Sequence, residues 1–323
     1  MKKIFSLMVA ALSVLAVASC AKEDLRKSDE ATMTLKLSIP EAASTKAYGD
    51  GMFADKNVII GVFDENGVEK FRKNIVWAKD VFEQEVQIRF MMGKKYQMVL
   101  WAQYGEAYGD PKTMSLESIT LDYTASNREN LDAFYAYVPV FTVKQDFQKS
   151  ITLVRPFAQL NFATTIGDMD ESVADTDLTG LDNTAKVTIT NVANTLDLFT
   201  GLTTFVKDGH AETTPQTVVI PATAFPAKVD GKYPTITVEE VTYEVISMNY
   251  VLVADSGAQD GKTTVDLKLE VGDLVIDVPN AYMKRNWRTN VVGELLTAEG
   301  SFKVTIDPEF AGSYNNNWNQ QAQ

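Results

Sequence analysis

The strongest constraint on the fold of this chain is a strict alternation of apolar and polar residues near its beginning. Met33, Leu35, Leu37 and Ile39 alternate with threonine, lysine and serine residues. Successive side chains of a β-strand point to opposite faces, so this period predicts a strand with one buried face. Pro40 ends the pattern, because proline cannot donate a backbone hydrogen bond inside a sheet.

Similar short stretches recur along the chain, separated by turn residues. The segment Asp64–Gly67, for example, is typical of a hairpin turn. No helical period is sustained anywhere, whereas residues 111–133 are more polar and predict a short helix or a long loop. Many short strands with turns between them predict an all-β protein made of β-sandwiches. The other predicted strands are Val58–Phe63, Phe82–Phe90, Tyr96–Ala102, Tyr135–Val143, Ile151–Val154, Phe157–Thr164, Lys186–Val192, Thr217–Ile220, Thr235–Val238, Tyr243–Val253, Thr264–Val271, Leu274–Val278, Arg288–Leu296 and Phe302–Ile306.

The chain begins with a segment that predicts export. Lys2 and Lys3 precede an apolar run, Ile4–Ala18, which is shorter than the ~20 residues that span a bilayer and is typical of a secretory signal. The run ends in Val17–Cys20, which resembles the bacterial lipobox, where cleavage before the cysteine is coupled to its acylation. We therefore predict a lipid on Cys20 and attachment to the outer membrane, the alternative being an ordinary thiol beside an ordinary cleavage site.

Composition argues against several classes of function. The formal charge is −13, and it becomes −15 without residues 1–19, which carry two lysines and no acid. So acidic a chain is not expected to bind nucleic acid, which requires basic patches. His210 is the only histidine and Cys20 the only cysteine, so no zinc site, disulfide or histidine-based catalytic group is predicted. We predict no enzyme, no cofactor and no metal, and we interpret the acidic stretch 168–177 as a solvated loop.

Three motifs, in this order along the chain, carry a family resemblance. Together with the lipobox they resemble the fimbrillin family of Bacteroidales, the subunits of type V pili, and the resemblance extends over essentially the whole chain. The motifs are Ala31–Pro40 followed by Ser44–Gly51, then Val154–Phe162, and finally Arg285–Thr297.

The resemblance implies a fold and a mode of assembly. Fimbrillins are surface lipoproteins with two transthyretin-like, Greek-key β-sandwich domains. A trypsin-like protease cuts after a basic residue behind the first strand, which leaves, and a strand of a neighbouring subunit fills the groove. Here the matching cut is Lys46–Ala47, and the groove-filling residues are Met33, Leu35, Leu37 and Ile39. The implied division is a signal peptide at 1–19, a tether and removable strand at 20–46, and sandwiches at 47–153 and 154–323.

Two features leave alternatives open. Well-known fimbrillins carry arginine before the cut, whereas this chain has Lys46, and a cut at Arg26 would free the tether but keep the strand. Phe302, Val304 and Ile306 form an amphipathic strand that is either donated to a neighbour or closes the chain's own sheet.

The leading hypothesis is therefore a fimbrial subunit that assembles with copies of itself or with related pilins. The alternative is a surface lipoprotein that does not polymerise, either a pilus anchor or accessory protein or a glycan-binding protein. A glycan binder would need an exposed aromatic platform, for which Trp77, Trp101, Trp287 and Trp318 are the candidates. No receptor can be named from the sequence.

Overall fold

The structure is a computed structural model, and it describes residues 29–39, 56–78, 81–169, 183–254, 261–296 and 301–307. Apart from the 3₁₀ turn at Glu129–Leu131 and Asp29, which is also in 3₁₀ conformation, these residues form strands and the connections between them, which confirms the predicted all-β class. The strands are β1 (Glu30–Ser38), β2 (Lys56–Asp64), β3 (Glu69–Trp77), β4 (Glu83–Met91), β5 (Lys95–Tyr104), β6 (Ser118–Thr120), β7 (Phe134–Thr142), β8 (Phe147–Thr152), β9 (Ala158–Thr165), β10 (Thr184–Ala193), β11 (Thr195–Asp197), β12 (Thr203–Lys207), β13 (His210–Glu212), β14 (Gln216–Ala224), β15 (Thr235–Val238), β16 (Val241–Val253), β17 (Thr263–Val271), β18 (Leu274–Met283), β19 (Arg288–Gly293) and β20 (Phe302–Asp307).

The first half of the chain forms two sheets that pack face to face. One has the strand order β4-β1-β8 and the other the order β3-β2-β5-β7. Alternate side chains of both sheets point into the space between them, as in a β-sandwich. The core that results contains Leu35 of β1, Ile60 of β2, Leu100 of β5 and Phe134 of β7, all of them fully buried.

The second half repeats this pattern of strand pairing. There β9 lies between the antiparallel β16 and the parallel β19, as β1 lies between the antiparallel β4 and the parallel β8. The strands of the facing sheets correspond as well. In the first half β2 pairs with β3 and β5, and β5 pairs with β7. In the second half β10 likewise pairs with β14 and β17, and β17 pairs with β18. The two halves also differ. β20 covers β19 whereas no described strand covers β8, and in the second half β16 pairs in addition with β15 and β10.

A further core joins the two halves. It contains Trp101 and Ile59 from the first half and Phe157, Val245 and Leu252 from the second. A small sheet of order β13-β12-β11-β6 crosses the same boundary, since β6 belongs to the first half and β11 to the second. The sheets that carry β5 and β9 are thus buried on both faces. The domain boundary near residues 153–156 stays a prediction.

Candidate functional site: the first strand and its groove

The strand β1 is an interior strand, held on both sides. All nine of its residues pair antiparallel with β4, from Glu30 opposite Met91 to Ser38 opposite Glu83. Its last six residues pair parallel with β8, from Met33 opposite Phe147 onward. Removing β1 would therefore leave two strands apart, each with a row of unpaired backbone groups along the gap.

The alternation in the sequence accounts for how β1 sits in the sheet. Met33, Leu35 and Leu37 are at most 1% exposed and Ile39 is 6% exposed, so all four predicted groove-filling side chains point into the core. The intervening residues lie on the outer face, where Lys36 Nζ is 3.4 Å from Glu85 Oε1. An exposed pair of this kind adds little stability, so burial of the apolar face is what holds the strand.

Hydrogen bonds outside the regular ladder fix both ends of β1. The Thr32 amide donates to Asp146 Oδ1 at 2.8 Å, and the Ile39 amide donates to the Phe82 carbonyl at 3.0 Å. At the same end the Ser38 and Thr152 hydroxyls are 2.9 Å apart. The groove that surrounds β1 is consequently apolar, with polar contacts at its ends.

Three of the predicted site residues lie outside the described part of the chain. They are Cys20, the predicted lipid attachment point, and Lys46 with Ala47, the predicted cleavage point. The segment that contains Lys46 and Ala47 connects Ile39 to Lys56, the first residue of β2. A cut there would separate β1 covalently from the rest of the sandwich.

The predicted donor strand corresponds to β20, at the edge of the second half's sheet. All six of its residues pair antiparallel with β19, so in the single chain it extends its own sheet. Phe302 is 41% exposed and Val304 is 37% exposed, and Ile306 is partly buried. The strand approaches closely at Gly293, where an added Cβ would lie 2.1 Å from the Ser301 carbonyl oxygen. Glycine is therefore required where the chain returns toward β20.

Sequence reasoning missed a buried charged cluster between the two halves. Arg155 donates to Asp132 through Nε at 2.7 Å and through Nη2 at 2.9 Å, and both side chains are at most 2% exposed. The guanidinium also lies 4.6 Å from the centre of the Phe134 ring. Since Arg155 lies just before β9 and Asp132 lies just before β7, the bidentate pair fastens the segment that leads into β9 to the first half.

Two neighbours of this pair have shifted pKa values. Burial lowers the pKa of Lys56 to about 8, with Asp132 opposing the shift and Arg155 adding to it. Burial, and then the charge of Asp132, raises the pKa of Glu129 to about 8. One carboxylate oxygen of Glu129 is buried without a hydrogen-bond partner. The sequence around these residues does not predict the cluster, because the cluster forms only when the two halves of the protein pack together.

A second buried polar network fastens β9 to β19. Asn161 Nδ2 donates to Asn290 Oδ1 at 2.8 Å, and Arg288 Nε donates to Gln159 Oε1 at 2.9 Å. All four side chains are at most 5% exposed. All four also belong to two of the motifs that carry the family resemblance. The structure therefore assigns these motifs a structural role in the sheet.

Three further features bear on other kinds of function: metal ligands, apolar helices and the tryptophan side chains. They contain no group of three or more His, Cys, Asp or Glu side chains placed to hold a metal ion. No helix in the described ranges is long and apolar enough to cross a membrane. Of the tryptophans, Trp101 and Trp77 are buried, and Lys284 Nζ lies 4.6 Å from the centre of the Trp287 ring. Trp318 lies outside the described residues.

Comparison with sequence families gives a near-complete match. Residues 25–322 match a protein family that is described as a family of unknown function (DUF6562). The chain belongs to this family. No curated protein sequence matches the chain.

Among solved structures, the chain is similar to fimbrial proteins. The tip fimbrial protein Mfa3 from Porphyromonas gingivalis, with a C-terminal truncation, is 12% identical; the match covers 86% of this chain and 99% of that chain, with a TM-score of 0.44. A fimbrial assembly protein from Parabacteroides distasonis is 12% identical. The match covers 86% of this chain and 100% of that chain, with a TM-score of 0.43. A fimbrilin (FimA) from Porphyromonas gingivalis is 14% identical. The match covers 85% of this chain and 96% of that chain, with a TM-score of 0.46. Fimbrial proteins are thus among the structures that resemble this chain, as its motifs predict.

Proposed function

We propose that this protein is a structural subunit of a cell-surface fimbria that assembles by exchange of strands between subunits. In this proposal the chain is exported as a lipoprotein with lipid on Cys20 and is cut between Lys46 and Ala47. β1 then leaves, and a strand of a neighbouring subunit takes its place. The observation that carries the proposal is the position of β1, an interior strand with a wholly apolar buried face at the end of a separable segment.

The apolar groove supplies binding free energy to an incoming strand once β1 has left. Each fully buried side chain of this size stabilises a protein by about 1.5–3 kcal/mol relative to leaving it exposed. Met33, Leu35, Leu37 and Ile39 together therefore contribute on the order of 10 kcal/mol before entropy is counted. A sandwich without β1 would expose this surface and two strand edges, so an incoming strand that restores both would bind firmly.

Cleavage after Lys46 and cleavage after Arg26 would have different effects on β1. A cut at Lys46 lies between the end of β1 and the start of β2, so it frees β1 and leaves the body of the protein beginning at Ala47. A cut at Arg26 lies before β1 and leaves the strand in place. Only the first cut opens the groove.

The donor in this proposal is β20 of the neighbouring subunit. It has the same alternation as β1, with Phe302, Val304 and Ile306 on one face. Phe302 and Val304 are about two-fifths exposed on their own sheet and would gain burial in an empty groove.

One observation favours a second candidate, a pilus anchor or accessory protein that does not polymerise. β20 pairs with β19 along its whole length and Asp307 Oδ2 is 3.7 Å from Arg288 Nη1, so the chain can close its own sheet. A subunit that kept both β1 and β20 in place would stay a monomer attached through its lipid.

The test uses the chain from residue 21 onward, which keeps every described strand, treated briefly with trypsin. We expect a new N-terminus at Ala47 and a ladder of oligomers that resists denaturing electrophoresis without boiling. Lys46→Gln should abolish both, whereas the matched control Arg26→Gln should abolish neither. A trypsin-treated parent that retains β1 and runs as a monomer would contradict the polymerising subunit and favour the anchor.

A further inference from the structure

The strands β1 and β20 carry the same residue pattern. Leu35–Ile39 and Phe302–Ile306 both consist of an apolar residue, a lysine, an apolar residue, a serine or threonine, and an apolar residue. In β1 the three apolar residues are buried, and the two polar residues lie on the outer face. The pattern also occurs at Ala185–Ile189 in β10, but that strand is paired on both sides and its apolar residues are already buried. Of these three strands, β20 is the one at an edge of its described sheet.

In its own sheet, β20 is poorly matched to its surroundings. Phe302 and Val304 are apolar, yet they are 41% and 37% exposed. On the opposite face the Thr305 hydroxyl is buried and makes no hydrogen bond with any described residue. A buried hydroxyl without a partner destabilises the arrangement that contains it. Lys303 pairs with Glu239, but this pair is exposed to solvent and adds little.

The groove that holds β1 offers a partner at each polar position of the shared pattern. Lys36 Nζ lies 3.4 Å from Glu85 Oε1 of β4. The Ser38 hydroxyl lies 2.9 Å from Thr152 Oγ1 of β8. A strand with the same pattern, laid in the same register, would therefore find a carboxylate for its lysine and a hydroxyl for its serine or threonine.

A backbone contact at the end of the groove favours this register over its neighbours. The Ile39 amide donates to the Phe82 carbonyl at 3.0 Å. In the matched register Ile306 stands at that position, and its amide can make the same bond. The smallest shift that keeps the apolar face inward is two residues. One such shift puts Pro308 there, which has no amide hydrogen, and the opposite shift leaves the place of the fully buried Leu35 to a glycine.

We propose that β20 of one subunit fills the groove of the next in the register that places Lys303 opposite Glu85 and the Thr305 hydroxyl beside Thr152. β20 then runs antiparallel to β4 and parallel to β8, as β1 does. It fills the groove from the place of Leu35 onward, and the start of the groove falls to the residues that precede β20. This inference rests on the strand exchange proposed above and adds the two groove residues that set the position of the donor strand.

The first test locates the donor strand by disulfide cross-linking. The chain from residue 21 contains no cysteine, so two thiols can be introduced without competitors. We expect Thr152→Cys/Thr305→Cys, cut with trypsin and mildly oxidised, to give oligomers that survive boiling without reductant. The control is Ser150→Cys/Thr305→Cys, whose thiols meet only after a shift of two residues, and it should give at least tenfold fewer. The uncut chain, in which β1 fills the groove, should give none.

The outcomes of this test separate the register from the exchange on which it rests. A ladder on unboiled denaturing gels that cross-links equally or better through Ser150→Cys overturns the register and leaves strand exchange standing. A cut parent that forms no ladder overturns both.

A second test uses the unpartnered hydroxyl. Thr305→Val removes it, so the uncut monomer should resist chemical denaturation at least as well as the parent. The cut protein should form its ladder at least threefold more slowly, because the contact with Thr152 is lost. In a chain that already carries Thr152→Val, the same change should alter the ladder rate much less. A less stable monomer, or an unchanged ladder rate, contradicts the role assigned to this hydroxyl.

Discussion

The strands β1 and β9 occupy the same position in the two halves of this protein but are held by different chemistry. β1 is fixed by an apolar face, by backbone pairing and by polar contacts near its ends. β9 adds a buried network of Gln159, Asn161, Arg288 and Asn290, which specifies one partner strand. Buried polar groups must be matched one by one, whereas an apolar groove accepts any strand with the right alternation. Under the proposed strand exchange, the first position is the exchangeable one and the second is permanent.

The residues just before the two strands differ in the same way, because the one before β9 is fixed by buried polar contacts and the one before β1 is exposed. Arg155, just before β9, is locked to Asp132 by two hydrogen bonds. Asp29, just before β1, is exposed, and its carbonyl accepts a hydrogen bond from the Met92 amide. Arg155 is therefore an internal joint of the protein, whereas Asp29 lies on its surface.

The largest effect is expected from Asp132→Ala. This change leaves the buried Arg155 guanidinium without its counter-charge, and such losses typically destabilise by about 3–5 kcal/mol. Chemical denaturation would measure the free energy of unfolding. The exposed pair of Arg128 with Asp122 supplies the control, since Asp122→Ala should change it by about 0–1 kcal/mol. Equal effects of the two variants would mean that the buried pair does not lock the segment leading into β9.

Next in size is Leu35→Ala in β1. Leu35 is fully buried, so truncation should destabilise the uncut chain by about 3 kcal/mol through lost burial and a residual cavity. Thr34→Ala, on the outer face, should change the same free energy by much less. After cleavage and loss of β1, parent and Leu35→Ala should unfold with equal stability. A difference that persisted in the cut protein would show that β1 had not left.

A smaller loss is expected from Asn161→Ala in β9. It leaves the Asn290 side chain buried without its donor, at a typical penalty of about 1–3 kcal/mol. The matched change in β1 is Ser38→Ala, whose partly buried hydroxyl contact with Thr152 should be worth less than about 1 kcal/mol. The two free energies of unfolding, measured side by side, compare the polar locking of β9 with that of β1.

A dependence of stability on pH is expected from Glu129, beside the Asp132–Arg155 pair. The folded-state pKa of Glu129 is raised to about 8, so between about pH 5 and 8 the folded protein keeps a proton that the unfolded chain releases. The contribution of Glu129 to stability is therefore greatest at low pH and is lost as pH rises through about 8. The melting temperature should fall over this window, and less so in Glu129→Gln. The buried residues of β1 are all apolar and add no such dependence.

Much of the fold could be predicted from the sequence, because buried faces leave a period of two. The predicted strands match β1, β2, β4, β5, β9 and β16 within a few residues. β3 was missed since its charged sequence lies mostly exposed, and the short β6, β11, β12 and β13 carry too few residues for a period. β8 begins at Phe147, earlier than the predicted Ile151, because only its end is fully buried.

The features that distinguish the two strands could not be predicted. Asp132, Arg155 and Asn161 resemble surface residues by type, and only long-range packing buries them. The shared pairing pattern of the halves was equally hidden, because strand order depends on partners distant in sequence. The groove-filling residues of β1 were predictable, since they are defined by their own alternation. Cleavage at Lys46 and lipid on Cys20 remain predictions.

The exchangeable character of β1 is tested most directly by native mass spectrometry of the chain from residue 21 after cleavage at Lys46. We predict that the fragment 21–46 is lost and that the remaining chain, 47–323, appears in integer multiples of its own mass. A monomer of 47–323 that still carries the fragment 21–46 would contradict the account, because β1 would then be as permanent as β9.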